Sequence, residues 1–342
     1  MKLLLFTQAL DTNDPVLSVY HSWVLEFAKN FEFITVICLR KGAYNLPANV
    51  KVLSLGKEQG KSRLGYITRF YKYIFGEEYD SVFVHMNQEY VLLGGLFWKL
   101  SGKRIYMWRN HHAGSFLTAI AIAFCTRVFC TSKFSYTVKY KKTIIMPVGV
   151  DTDFFVRRQE IIKIPRSILF LSRIAPVKKP HIFIEALKLL KAGSINFKAS
   201  IYGDSLDRDR EYHGDLKEKV KKAGLSDWVV FYDGIPNSET VRAYNSHEIF
   251  VNLSSSGMYD KTIFEAMACE TLILATNKNL EGLVPESFIA KEDDVENIAF
   301  KLEKLLVLSL DEKVKWGREL CRVTNEHHSL RELGNKLVAL VS

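Results

Sequence analysis

Short runs of consecutive apolar residues alternate with longer stretches whose apolar positions recur every three or four residues, and this continues along the chain. In the first half the short runs predict strands over 2–7, 34–39, 50–53, 81–84, 105–108, 127–131 and 143–146, with amphipathic helices over 19–30, 63–75, 90–100 and 115–124. In the second half they predict strands over 167–171, 198–202, 229–232, 249–253 and 272–275. Helices are expected there over 180–191, 210–223, 238–244, 262–268, 295–308 and 311–323. Strand and helix in alternation build parallel sheets wrapped by helices. The pattern breaks at Pro147-Val-Gly-Val-Asp151, followed by a charged, non-periodic stretch to Pro165 that reads as a linker, and then starts again. The expected fold class is therefore α/β, with two Rossmann-like doubly wound domains, 1–150 and 151–342. Ligands of such sheets sit beyond the carboxyl ends of the strands, so the expected site is a cleft between the domains.

Length agrees, because 342 residues is about twice an ordinary domain. No apolar run reaches the roughly 18 residues of a membrane span, and the longest, 113–125, reads as a buried helix. The apolar start, 1–10, meets Asp11 without a small-residue cleavage site and reads as a first strand rather than a signal peptide. Cys38, Cys125, Cys130, Cys269 and Cys321 show no C-x-x-C spacing and mostly sit in apolar runs. They read as reduced, buried thiols of a cytoplasmic protein, with neither a metal site nor a disulfide framework.

Charge divides the chain. Residues 1–150 carry 19 Lys+Arg against 9 Asp+Glu, a net +10, and residues 151–342 carry 28 against 29, a net −1. Between Tyr90 and Val150 there is no acid, against nine Lys+Arg. A basic half calls for an anionic partner, such as a membrane surface or a phosphate-bearing acceptor, or else serves solubility alone. Nucleic acid could use the same charge, but no nucleic-acid module is recognisable and none is expected as a partner. In "RLGYITRFYKYIF", Arg63 to Phe75, the residues Leu64, Ile67, Tyr71 and Ile74–Phe75 fall on one side, with Arg63, Arg69 and Lys72 interleaved. This is either a core helix with snorkelling cations or an interfacial helix lying on anionic lipid.

Neither G-x-G-x-x-G nor a Walker loop occurs, which argues against hydride transfer and P-loop hydrolysis. Four segments of the second half carry candidate chemistry instead. "LFLSRIAPVKKP" places Arg173 and Lys178 just beyond a strand end, where two cations can neutralise a diphosphate. "IYGDS" ends a strand at Gly203, either a close backbone approach or a plain turn. "VVFYDGIPNSETVRAYNSHEIFVNLSSS" leads into "SSSGMYDKTIFEAMACETLILATN", Ser254 to Asn277. There the backbone of Lys261, Thr262 and Ile263 opens a helix whose free N–H groups suit phosphate, and Glu265 is expected in its first turn.

Taken in this order, with "PVGVDTDFF" before them, the segments resemble the retaining family 4 glycosyltransferases (glycosyl transferases group 1) of the GT-B fold. The resemblance implies two Rossmann-like domains facing a central cleft, an N-terminal acceptor domain and a C-terminal nucleotide-sugar domain, with the last helix crossing back to the first. It implies that Arg173 and Lys178 take the donor diphosphate, that Lys261 to Ile263 approach the phosphates, and that Glu265 holds the ribose. Tyr232 to Ile235, with Gly234, would flank the base, and Gly203 would line the donor site. Glu265 matches the second glutamate of the family's Glu-x7-Glu motif, and Gly257 stands where the first would be, so Asp260 is expected to reach the sugar instead. "YDSVFVHMNQEYVLLGGLFWKLSGKRIYMWRNHHAGS" is similar to the family's middle region, which puts His111 beside the reacting sugar and leaves His112 packed. Asp11, Asp14 and His21 would meet the acceptor, although the family's glycine pair is missing there.

The implied chemistry is transfer from a nucleotide diphosphate-sugar, UDP- or GDP-linked, to a glycan or lipid-linked acceptor with retention. The nucleotide-sugar is a substrate, and no cofactor or metal is expected. Asp151–Asp153 and Asp207–Asp209 are poor metal candidates, one in the linker and one in a charged loop. A place in polysaccharide biosynthesis, cytoplasmic or peripheral on the inner membrane face, follows from the same resemblance. A degenerate GT-B protein that binds without turnover, an epimerase and an inverting transferase stay open as alternatives.

Overall fold

The computed structural model describes residues 1–14, 17–256 and 259–341. The chain divides into two units, Met1–Gly149 with Leu330–Ser342, and Val150–Ser329. The first contains β1 (Lys2–Leu10), α1 (Val19–Ala28), β2 (Phe33–Lys41), β3 (Val50–Ser54), α2 (Arg63–Gly76), β4 (Ser81–His85), α3 (Gln88–Leu100), β5 (Arg104–Trp108), α4 (Phe116–Phe124), β6 (Arg127–Cys130) and β7 (Thr143–Ile145). The second contains β8 (Ser167–Leu171), α5 (Pro180–Ala192), β9 (Lys198–Tyr202), α6 (Arg210–Lys222), β10 (Val229–Tyr232), α7 (Asn237–Ser246), β11 (Ile249–Asn252), α8 (Lys261–Ala268), β12 (Leu272–Ala275), α9 (Val295–Leu306) and α10 (Leu310–His327). The closing helix, α11 (Leu330–Val341), belongs to the first unit.

Among the described residues each unit is built on one parallel sheet, ordered β3-β2-β1-β4-β5-β6-β7 in the first and β10-β9-β8-β11-β12 in the second. The order reverses at β1/β4 in one and at β8/β11 in the other, as in doubly wound folds. The central strands read as unbroken apolar runs because helices cover both faces. Alternate residues of β1 supply two cores. Leu3 and Leu5 pack with Trp23, Phe27, Phe83, Tyr106 and Trp108 on the α1 side. Leu4 and Phe6 pack with Phe70, Ile74, Tyr90 and Trp98 on the α2–α3 side.

Local chemistry fixes the helix starts. Ser62 accepts the Gly65 N–H at the head of α2, and Ser115 and Ser309 form capping boxes with Thr118 and Glu312. Leu330, Leu333, Leu337 and Val341 recur at helical spacing and bury one face of α11 in the α1-side core, while the Tyr106 hydroxyl donates to the Val341 carbonyl at 3.3 Å. Gly149 sits beneath that helix at φ +75°, and a Cβ there would lie 2.5 Å from Leu333 Cδ2, so only glycine fits.

Three expectations change. The stretch from Asp151 to Pro165 is not a free linker. Phe155 is buried, the Arg158 N–H and Arg157 guanidinium donate to Asn245 Oδ1 at 2.7 and 2.9 Å, and the Ile164 N–H donates to the Ser246 carbonyl. The helix expected to be buried over 113–125 leaves Phe116 and Leu117 exposed. On α2, Phe70 and Ile74 point into the core, whereas Leu64, Ile67 and Phe75 lie on the open side. The cores claim the residues with their own period, and the remaining apolar side chains form a surface stripe.

Candidate functional site

The reversal of strand order between β8 and β11 leaves a crevice at their carboxyl ends, the usual ligand position of a doubly wound sheet. Arg173 and Lys178 follow β8, and Ser254, Asp260 and α8 follow β11. Asp260 is the N-cap of α8. Its Oδ1 accepts from the Thr262 N–H at 3.3 Å and the Thr262 hydroxyl at 2.8 Å. Its Oδ2 accepts from Lys178 Nζ at 2.6 Å and from the Ser254 hydroxyl at 3.1 Å. Asn252, the last residue of β11, ties the strand to the helix by accepting the Ser254 N–H at 3.0 Å and donating to Thr262 Oγ1 at 3.1 Å. Burial works to raise the Asp260 carboxyl, but the Lys178 ammonium and the surrounding hydrogen bonds outweigh it and hold the group well below the usual carboxylate range.

Because Asp260 caps the helix, α8 begins at Lys261 rather than Thr262. Glu265 therefore stands in the second helical turn and not in the first, where sequence placed it. The change matters, since a carboxylate one turn in is no longer an exposed partner of the helix dipole. Glu265 is 4% exposed. Its Oε2 accepts from the Tyr244 hydroxyl at 3.1 Å, and its Oε1 meets no donor among the described residues. Burial pushes this carboxyl up to about 7, against the opposing pull of Lys261 and Tyr244. Burial pushes the half-buried Lys261 ammonium down to about 8, against Glu265 and Asp151.

The expected phosphate cradle is already partly occupied. Of the three N–H groups opening α8, that of Thr262 is taken by the Asp260 carboxylate and that of Ile263 by the Asp260 carbonyl at 3.2 Å. Among the described residues the Lys261 N–H meets no acceptor. Asp260, expected on the transferred sugar, has both carboxylate oxygens engaged inside the chain and sets the position of Lys178. Arg173 is exposed, and among the described residues its guanidinium meets no partner. The close approach at Gly203 is to the chain itself: at φ +149° a Cβ there would lie 1.9 Å from the Ser172 carbonyl oxygen. Gly234 donates its N–H to Asp204 Oδ1 at 3.0 Å, beside a stacked pair of Tyr202 and Tyr232 with centroids 4.4 Å apart. Gly257, where the family's first glutamate would stand, lies outside the described residues.

Sequence missed two partners. Tyr244 lies on α7, 21 residues before Glu265, and gave no signal because its role exists only through packing. Glu292 binds Lys179 at 2.8 Å and the Ser255 hydroxyl at 2.5 Å, so Lys179, unlike its neighbour Lys178, is committed to acids from the segment before α9.

In the first unit, His111 follows β5 and is half-buried. Its Nδ1 lies 2.9 Å from the Ala113 N–H, its ring stacks on His112 at 4.6 Å, and its carbonyl accepts from the Tyr136 N–H at 2.8 Å. His112, expected to be packed, is exposed. The other three candidates fasten the β1–α1 loop and the start of α1 to the end of β2 and the segment after it. Asp14 pairs with Arg40, Asp11 Oδ1 accepts the Ala43 N–H at 3.2 Å, and His21 Nε2 accepts the Asn45 N–H at 3.0 Å. Burial lowers the His21 ring's proton affinity. Among the described residues no group of three or more His, Cys, Asp or Glu side chains is arranged to hold a metal ion.

Two parallel, doubly wound units are the architecture of the GT-B class. The model of the family described as glycosyl transferases group 1 matches residues 151–319, so the second half of the chain is similar to that family. Over 165 residues it is 29% identical to the alpha-monoglucosyldiacylglycerol synthase of Streptococcus pneumoniae, covering 44% of this chain and 36% of that protein. Over 151 residues it is 26% identical to the D-inositol 3-phosphate glycosyltransferase of an Arthrobacter species, covering 41% and 35%. The chain thus spans about a third of the length of the curated relatives it matches. In fold it is similar to the Anabaena protein HepE solved in complex with UDP, with a TM-score of 0.81, 15% identity, and 100% and 99% of the two chains covered.

Proposed function

We propose that this protein is a glycosyltransferase that moves a sugar from a nucleoside diphosphate-sugar to an acceptor hydroxyl with retention of anomeric configuration. The observation that carries this reading is Glu265: a buried carboxylate behind a helix mouth, with one oxygen held by Tyr244 and the other without a donor. Such an oxygen is completed by a ligand hydroxyl, and a vicinal pair of ribose hydroxyls has the matching chemistry. Arg173, Lys178 and the Lys261 N–H then meet the diphosphate, with Asp260 holding Lys178 in position. Tyr232 to Ile235, with Gly234, flank the base. The UDP bound to the similarly folded HepE supports a uridine donor, and GDP is the alternative to compare.

In this reading the reaction needs positioning and charge stabilisation more than a strong base. The departing diphosphate is stabilised by the two cations and α8, without a metal, and its oxygen takes the acceptor proton. By the family resemblance His111 is taken as a hydrogen-bonding group for the sugar. The acceptor is held by the first unit. Leu64, Ile67 and Phe75 on α2 and Leu96 and Leu100 on α3 are exposed on neighbouring helices joined by the Phe75–Phe97 ring contact at 4.5 Å. Exposed Arg63, Lys72 and Lys99 rim them. This supports a peripheral position on anionic lipid and a lipid-linked or cell-surface glycan precursor as acceptor. The lipid named in the Streptococcus relative fits that reading. No helix among the described residues is long and apolar enough to cross a membrane.

The test is a thermal-shift and calorimetric screen of UDP-, GDP- and ADP-sugars against the wild type and Glu265→Ala. Binding of one class, lost in the variant, is expected. No binding of any class, or equal binding to the variant, overturns the reading.

A further inference from the structure

Lys178 and Lys179 are neighbours in the turn between β8 and α5, and Ser254 and Ser255 are neighbours in the loop between β11 and α8. Each lysine holds one serine. Lys178 Nζ donates to the Ser254 hydroxyl at 3.1 Å. Lys179 Nζ donates to Glu292 Oε1 at 2.8 Å, and the same oxygen accepts from the Ser255 hydroxyl at 2.5 Å. A second acid, Asp293, meets Lys179 at 2.8 Å. The third serine is tied as well: the Ser256 hydroxyl accepts the Lys278 N–H at 2.9 Å, and the Ser256 carbonyl accepts from Asn279 Nδ2 at 2.9 Å. Residue by residue, the start of this loop is fastened to the β8–α5 turn, to the segment before α9 and to the segment after β12.

The backbone at Lys179 is unusual. Lys179 precedes Pro180, the first residue of α5, and a residue before proline favours an extended backbone. Lys179 instead takes φ +59° and ψ +37°, the left-handed region where residues other than glycine are uncommon. Its partner Asp293 has φ +59° as well. Neither backbone favours this conformation by itself, and the ion pair between the two side chains helps to hold both in it. Backbone outliers of this kind collect where a fold must keep a group in one place for a ligand.

The two ammonium groups differ in what they can still do. The Lys179 side chain is 13% exposed and faces two carboxylates, so its charge is matched inside the chain. The Lys178 side chain is 28% exposed and faces one carboxylate, Asp260, whose other oxygen is taken up by Thr262. Of its three N–H groups, Asp260 and Ser254 use two, and the third meets no acceptor among the described residues. A lysine on its four-carbon stem loses entropy when it is ordered, so a fixed ammonium needs support at both ends. Asp260 and Ser254 hold the tip of Lys178, and the ion pairs of Lys179 hold the backbone one residue further on.

We propose that Lys179, with Glu292 and Ser255, is a positioning residue: it clamps the β8–α5 turn to the loop before α8 and so holds Lys178 where a diphosphate meets it. Lys179 itself touches no ligand. The clamp rests on the donor reading, in which Lys178 takes the diphosphate, and goes beyond it by giving a role to side chains outside that contact.

The test is calorimetric titration of UDP, UMP, GDP and GMP into the wild type, Lys179→Gly, Lys179→Arg, Glu292→Gln and Ser255→Ala. Glycine suits the left-handed backbone, so Lys179→Gly removes the clamp without straining the turn. The preference for diphosphate over monophosphate should fall about ten-fold in Lys179→Gly, the size of one misplaced charge-assisted hydrogen bond, and Lys179→Arg should recover it. Glu292→Gln and Ser255→Ala should lower it less, because Asp293 still meets Lys179. A clamp that served stability alone would lower the melting temperature and weaken both nucleotides alike, with the preference unchanged. That result in Lys179→Gly, or an equal loss of preference in Lys179→Arg, overturns the proposal. A wild type that binds none of the four nucleotides overturns the donor reading and the clamp with it, whereas a wild-type preference that survives Lys179→Gly overturns the clamp alone.

Discussion

The β8/β11 crevice of the second unit and the β1/β4 edge of the first arise from the same reversal of strand order, yet their polar groups are managed in opposite ways. At β8/β11 the charges are largely spent on one another. Asp260, Lys178, Ser254, Thr262 and Asn252 form a closed network, and Glu265 keeps one free oxygen. After β1, β4 and β5 of the first unit, Thr7, Gln88 and Arg109 each keep a buried atom without a partner among the described residues, although Arg109 Nη2 donates to the Ala113 carbonyl. A doubly charged diphosphate needs cations already in position, since a long lysine costs entropy to order. The same topology thus yields an internally paired set of charges in one unit and buried polar atoms without partners among the described residues in the other.

The sharpest way to break the comparison is to remove the Glu265 carboxylate. Glu265→Ala is expected to weaken nucleotide-sugar binding about 100-fold, as hydrogen bonds to a charged acceptor are worth roughly 1.5–3 kcal/mol each. Calorimetry decides, and an unchanged affinity would sink the idea that Glu265 receives the nucleotide-sugar. Next in size is Asp260→Asn, which keeps a capping side chain but removes the charge facing Lys178. It should lower stability by about 2 kcal/mol, within the range for breaking one partner of a part-buried pair. An unchanged denaturation midpoint would mean that the network is not closed in solution.

Proton linkage sharpens the second unit's side of the comparison. If, as proposed, a ribose hydroxyl donates to ionised Glu265, whose carboxyl is raised to about 7 in the free protein, binding releases a proton. Affinity for a UDP-sugar should rise about ten-fold from pH 6 to pH 8. In the free protein the sign runs the other way. A folded-state value above the ordinary 4.5 gives stability that is fully present below 4.5 and lost as pH rises through about 7. Melting temperature should therefore fall across that window and flatten in Glu265→Gln, and a flat wild-type profile would contradict the assignment. The smallest effect is expected at the α2–α3 surface. Phe75→Ser with Leu96→Ser should reduce sedimentation with phosphatidylglycerol vesicles about five-fold, consistent with modest apolar insertion, and neutral vesicles should bind neither form.

The fold was legible because its signals are local. Apolar runs over 167–171 and 249–253 and the breaks between them gave strands within a residue or two of β8 and β11. The helix α11 was harder, since Leu330, Leu333, Leu337 and Val341 find their partner only in a core built from the other end of the chain. In the candidate site, Arg173, Lys178 and Glu265 stood out because their spacing follows a family pattern. What sequence could not give was the pairing among them. Nothing in the order of residues says that Asp260 would cap α8 and hold Lys178, or that Gly203 would be needed against Ser172. The unpartnered atoms of Thr7 and Gln88 gave no signal, because both are ordinary residues and their burial arises only on folding.

The donor reading turns on the Glu265 oxygen that meets no donor among the described residues. Titrating a UDP-sugar and a GDP-sugar calorimetrically into wild type, Glu265→Gln and Tyr244→Phe at pH 8 tests it in one experiment. The account predicts that one nucleotide binds the wild type, that Glu265→Gln weakens it at least about ten-fold, and that Tyr244→Phe has a smaller effect because Tyr244 holds the other oxygen. Equal affinity in the wild type and Glu265→Gln would contradict it.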